Sequence, residues 1–192
     1  MSTERRDRGQ WILRLQVITA LMFGRNRLAI GILDRRLASF PQDPYALANR
    51  AHVLAQVGEK DRAIADLRAL VAAHPARSAG DWFNLGYLLE GQGDVSGSEA
   101  SFRQALALDP KLDRAWYGLG LALVRQQRYD EAAAALKRNT ELQPMSPYGW
   151  YQLARVHMDR KQIDEARRIA RHLKGFEPKV AAQLEREIGP AA

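Results

Sequence analysis

The stretch "WFNLGYL" at residues 82–88 returns as "WYGLGLA" at 116–122 and as "WYQLARV" at 150–156. In each copy a Trp is followed at once by a second aromatic. Neighbouring residues on a helix point about 100° apart, so the two rings cannot share one face. One of each pair is expected to serve a core. The other must face elsewhere.

The doublets belong to a longer beat. Pro41, Pro75, Pro110, Pro144 and Pro178 are separated by 34, 35, 34 and 34 residues. A small residue keeps the same spacing at Ala29, Ala63, Ser98, Ala132 and Ala166, and Gly24, Gly58 and Gly93 share it, with Gln127 and Lys161 taking that place later. Self-similarity at such a period marks a repeat architecture. Within each cycle the pattern is helix, short turn, helix and a proline break. Over 113–146 the first helix is "RAWYGLGLALVRQ", where Trp116, Leu119, Gly120 and Leu123 recur at helical spacing. The second is "DEAAAALKRNTEL", where the small Ala132 lets two backbones approach and Leu136 continues the face. Asp43-Pro44 and Ser146-Pro147 each set a capping side chain before a proline at the first helical position. "SGSE" at 96–99 reads as a capping box, and each closing proline as the stop of a second helix.

These residues resemble the tetratricopeptide repeat. The likeness is strongest over 79–112, carried by Trp82, Leu85, Gly86, Phe102, Ala105 and Pro110, with Ser98 in the small-residue place. It implies an all-α fold, a right-handed α-solenoid of about five helix-turn-helix repeats at 10–43, 44–77, 79–112, 113–146 and 147–180. Residues 1–9 read as a flexible charged start. Residues 181–192 read as a capping helix and tail, with Val180, Leu184 and Ile188 along one face.

The residue after each Trp lies on the face opposite the core, which in this family lines a concave groove for an extended peptide. That stripe collects Asn49 and His52, then Phe83, Asn84 and Tyr87, then Arg114, Tyr117 and Arg125, and finally Tyr148, Tyr151, Gln152 and Arg155. Tyr and Arg with a few amides is the composition of protein recognition surfaces. The competing reading is that these aromatics stack on one another or on the adjacent repeat. A carboxylate clamp of the kind found in this family is incomplete. Asn84 and Arg114 hold clamp-like places, as do Asn49 and Arg14, but Ala48 and His52 stand where Lys and Asn are required, and Gly118 replaces a basic residue. The expected partner is an extended protein segment, acidic or aromatic-bearing.

The first helix departs from the others. Its groove-side stripe is Trp11, Leu15, Ile18, Leu21 and Met22, while Leu13, Val17 and Ala20 form its core side. A helix apolar nearly all round is normally covered on both sides. Self-association, a docked partner and a membrane surface helped by Arg5, Arg6 and Arg8 compete as the cover, with burial inside a tight superhelix as the plain case; a protein contact is preferred.

Composition narrows the rest. The chain has 192 residues, 46% of them hydrophobic, a net charge of +7 and no cysteine. Disulfides, thiolate metal sites and cysteine nucleophiles are excluded. Of 29 basic residues 23 are Arg, spread along the chain rather than set in one stripe, so specific nucleic-acid binding is not favoured. The run Trp11–Phe23 is broken by Arg14 and Gln16 and reads as neither signal peptide nor membrane span. His52, His74, His157 and His172 show no metal-ligand spacing, and "GQGDVSG" at 91–97 lacks the Lys-Ser/Thr of a phosphate loop. Asp130, Glu131, Asp164 and Glu165 open second helices, where the helix dipole favours them. The sequence therefore reads as a non-enzymatic scaffold, adaptor or chaperone-like protein, cytoplasmic and without cofactor, with nucleic-acid or membrane-surface binding as the alternative.

Overall fold

The computed structural model describes residues 3–190, with side chains from Gln10 onward. Eleven helices and no strand occur among the described residues. In chain order they are α1 (Thr3–Met22), α2 (Asn26–Ser39), α3 (Pro44–Gln56), α4 (Lys60–Ala73), α5 (Ala79–Gln92) and α6 (Val95–Leu108), followed by α7 (Asp113–Arg125), α8 (Tyr129–Leu142), α9 (Pro147–Asp159), α10 (Ile163–Lys174) and α11 (Pro178–Ile188). They form two compact units, one ending at Asp81 and the other beginning at Trp82. Within each unit, a helix packs mainly on its neighbours in sequence.

The turn inside each helix pair is built the same way five times. Gly24, Gly58, Gly93, Gln127 and Lys161 all have φ between 59° and 88°. The amide of the following residue then reaches back to a carbonyl five residues earlier: Arg25 to Ala20, Glu59 to Leu54, Asp94 to Leu89, Arg128 to Leu123 and Gln162 to His157, at 2.8–3.0 Å. This is the Schellman closure of a helix, which requires a left-handed residue and favours glycine there. The shared spacing of Gly, Gln and Lys is thereby explained: one backbone conformation recurs at a fixed step.

Prolines end the second helices through the residue before them. Phe40, His74, Asp109 and Gln143 have φ between −139° and −131°. A following proline ring disfavours helical φ/ψ at such a position. Pro178 behaves differently. It occupies the first turn of α11 and does not close α10, which ends at Lys174. The capping helix accordingly begins three residues before the 181 expected from sequence. At the other end, the backbone is already helical from Thr3, where the sequence suggested a flexible start; the side chains of residues 1–9 lie outside the described ones.

The helix starts bring two further corrections. Asp43 caps α3 as expected, accepting the Ala46 amide at 3.0 Å. In α6, however, the cap is Asp94, whose carboxylate accepts the Gly97 amide at 2.9 Å; the helix starts at Val95, ahead of the "SGSE" capping box. Ser146 holds the cap position of α9 but makes no capping hydrogen bond.

The small-residue positions Ala29, Ala63, Ser98, Ala132 and Ala166 are all fully buried. Ser98 fits the apolar site because its hydroxyl donates to the Val95 carbonyl at 2.9 Å. Trp116 and Trp150 are half-buried rather than core residues. Their indole N–H groups donate to the carbonyls of Pro110 and Pro144 at 2.9 Å. This ties α7 and α9 each to the proline that closes the preceding repeat. Trp and Pro keep one beat because they are joined.

Candidate functional site

In the second unit a cleft of about 530 Å³ opens between α5, α7 and α9. Its floor is Phe102, only 2% exposed. That ring lies between two glycines: a Cβ on Gly86 would come within 2.8 Å of it, and one on Gly118 within 2.6 Å. The close approach of the α5 and α7 backbones to one aromatic ring therefore depends on both positions being glycine. It also explains why no basic clamp residue stands at 118, where a side chain would displace the floor.

The walls are aromatic. Phe83 and Tyr117 line the cleft, with Tyr87 and Tyr148 at 62% and 71% exposed. Phe83 packs 5.9 Å from Phe102 and 6.4 Å from Tyr87, centroid to centroid. The Arg114 guanidinium sits 4.7 Å above the Phe83 ring, in cation–π range. Polar groups complete the lining: Glu90, Asp113, Asn139, Gln143 and Ser146. Arg125 spans to Glu90 at 2.8 Å. Asn139 is anchored by donating to the Asp113 carbonyl at 2.9 Å.

Phe83, Tyr87, Arg114, Tyr117 and Tyr148 are thus brought together from the expected groove residues, with Arg125 attached through Glu90. Others lie elsewhere. Asn84 is exposed but does not line the cleft. Tyr151 is engaged with α11: its hydroxyl donates to Glu187 at 2.6 Å and accepts from Gln183 at 3.0 Å, and Arg155 lies over its ring at 5.9 Å. The bond to Glu187 and partial burial raise the Tyr151 phenol above its ordinary pKa. Gln152 is bonded to the Tyr117 hydroxyl, whose pKa is raised because burial outweighs that bond. Asn49 and His52 belong to the first unit, where Asn49 donates to the Tyr45 carbonyl and His52 pairs with Gln56.

The doublets follow a different division from the one expected. Phe83, Tyr117 and Tyr151 are half-buried, like the Trp residues before them. The freely exposed aromatics of this unit are Tyr87 and Tyr148, one turn after and one turn before a doublet position. Sequence reading missed Asn139 and Gln143 because it followed the first helices alone, and Glu90, Asp113 and Ser146, on those helices or at their cap, because it collected aromatic, basic and amide side chains. Asn139 and Gln143, four apart at the end of α8, carried the available signal.

Among the described residues, no helix is long and apolar enough to cross a membrane, and no group of three or more His, Asp or Glu is placed to hold a metal ion. His157 is half-buried and hydrogen-bonded to Gln162 at 2.8 Å.

The tetratricopeptide-repeat family model matches residues 15–79, 83–144 and 117–176. The chain belongs to the tetratricopeptide-repeat family. Solved tetratricopeptide-repeat structures align over most of its length. MamA superposes with a TM-score of 0.82 at 20% identity, covering 89% of this chain and 93% of that one. YrrB, described as a TPR protein with an unusual peptide-binding site, gives 0.80 at 14% identity over 88% of each chain. PilF of Pseudomonas aeruginosa gives 0.70 at 20% identity, covering 95% and 91%. At these identities the likeness speaks for the fold: all-α, of the α-solenoid class. A search of curated proteins finds no match. Tetratricopeptide-repeat proteins are protein-interaction scaffolds, and that is the class of function this membership supports.

Proposed function

We propose that the chain is a non-enzymatic adaptor whose second unit holds an extended partner segment and seats an aromatic or other large apolar side chain on Phe102. The observation that carries this reading is the cleft itself, which leaves Tyr87 and Tyr148 largely uncovered beside an apolar floor. Such rings gain about 2 kcal/mol each on full burial, so a covering partner is favoured. Glu90, Gln143 and Ser146 offer hydrogen bonds to a peptide backbone. Between the two partner chemistries expected from sequence, the cleft favours the aromatic-bearing one: Glu90 and Asp113 put carboxylates on its wall, and Arg114 is stacked on Phe83. The peptide-binding description of YrrB is in keeping with this use of the fold.

The test is selection of a displayed random-peptide library on the full chain, followed by calorimetry with the enriched peptides. Tyr87 and Tyr148 are 62% and 71% exposed, so covering what remains contributes about 2–3 kcal/mol for the pair. Tyr87→Ala with Tyr148→Ala is expected to weaken enriched peptides by roughly 30- to 150-fold while lowering Tm by only a few degrees. Peptides that bind the double variant as tightly as the wild type would refute the cleft as the site.

A further inference from the structure

A second surface, independent of the cleft, lies on the first unit. In the packed repeats, the first helix of one repeat rests on the second helix of the repeat before: α3 on α2, α7 on α6 and α9 on α8. The residues used are in register. Gly149 of α9 faces α8 so closely that a Cβ there would meet Asn139 and Thr140. Ala46, Ala115 and Gly149 hold one such place, and Val53, Ala122 and Val156 another; all six are buried. In α1 the same two places are Ile12 and Thr19, and both are exposed.

A cleft of about 460 Å³ runs along this edge, lined by Leu15 and Thr19 of α1, Phe23 just after it, and Leu28 and Ile32 of α2. Leu28 stands where later repeats carry Arg62, Gly97, Glu131 and Glu165, so a large apolar residue has replaced charged residues or glycine at this edge alone. Among the described residues, the charges in the lining are Arg25 and Arg35, and no carboxylate joins them. Asp34, the single acid between residues 10 and 39, is held by Arg50 at 2.6 Å and Arg62 at 3.9 Å.

We propose that this edge receives an acidic amphipathic helix of a partner protein, docked on α1 in the place that a preceding second helix would fill. The repeat register supplies the helical geometry, and the guanidiniums of Arg25 and Arg35, facing no carboxylate among the described residues of the lining, select for carboxylates flanking the apolar stripe. A second copy of this chain would set the same arginines against one another.

The test titrates the full chain with three labelled helical model peptides sharing one leucine stripe, flanked by Glu, Gln or Lys, and reads fluorescence anisotropy. The Glu peptide is expected to bind roughly tenfold or more tightly than the Gln peptide, and more weakly as salt rises. Arg25→Glu with Arg35→Glu should reverse the preference toward the Lys peptide, and Leu28→Asp should abolish binding of all three. Tyr87→Ala with Tyr148→Ala should change none of these, which separates this surface from the cleft. Circular dichroism confirms that each variant is folded. Equal affinity for the three peptides, or binding indifferent to Leu28→Asp, would overturn the proposal. So would a dimer in sedimentation that Leu28→Asp dissociates, or binding to phosphatidylserine vesicles with no binding to the Glu peptide.

Discussion

Substituting Gly118 by Ala tests the packing that forms the cleft floor. The added Cβ would lie 2.6, 2.8 and 2.9 Å from Cζ, Cε2 and Cε1 of Phe102. Overpacking a rigid core costs about 1–3 kcal/mol, while replacing a helical glycine by alanine returns about 0.5–1 kcal/mol. The net expectation is a loss of about 1–2 kcal/mol. Leucine has none of the three clashing ring atoms, so Phe102→Leu removes the collision at a cost of its own of about 1–2 kcal/mol. In that background Gly118→Ala should stabilise by about 0.5–1 kcal/mol, the helical gain alone, which amounts to a coupling of about 2 kcal/mol. Gly91→Ala is the control, because it lies in α5 with nothing within 4 Å of its Cβ and should stabilise in either background. Urea denaturation followed by circular dichroism supplies the four free energies of the cycle. If Gly118→Ala carries the same cost in the Phe102→Leu background as in the parent, the account of the floor is wrong.

Two further predictions concern ion pairs. Arg50 binds Asp66 through two nitrogens, at 2.6 and 2.8 Å, in the places that Leu153 and Ile169 fill in the last repeat. Arg50→Leu should cost about 3 kcal/mol by stranding the buried Asp66, and adding Asp66→Ile should restore stability to within about 1 kcal/mol of the parent, read by urea denaturation. A double variant no better than the single one would contradict this. Glu99 is pushed up by burial but pulled further down by hydrogen bonds from Gln126, Arg103 and Arg128, so its folded pKa lies below the ordinary 4.5. A lowered folded pKa means stability present above the unfolded value and lost as pH falls through the folded one. Between about pH 6 and pH 3 the wild type should therefore lose more stability than Glu99→Gln, and equal losses would remove Glu99 from the account.

The repeat was legible because its spacing answers to backbone geometry. Gly24, Gly58 and Gly93 announce a left-handed turn, and the register then assigns the same φ to Gln127 and Lys161 although neither advertises it. The same register places the cap of α6 directly after Gly93, at Asp94; the local likeness of "SGSE" to a capping box obscured that. The candidate site was half legible. Phe83 and Tyr117 could be placed on an outward stripe, but how much of each ring a neighbouring helix covers depends on contacts the stripe does not contain. Tyr151 shows this most clearly, since its hydroxyl is taken by Glu187 and Gln183 from α11, more than 30 residues onward in the chain. The Trp residues were misjudged for a related reason: an indole that must reach a proline carbonyl cannot also be sealed in the core.

Beyond the residues that meet Tyr151, α11 exposes the charged Lys179, Glu185 and Arg186. They are water-loving groups where a further helix would need an oily seat. An extra repeat spliced in ahead of Pro178 would meet a second helix, α10, on one side and α11 in a first-helix place on the other, the neighbours every inner repeat has. Duplication can therefore lengthen such a chain from within.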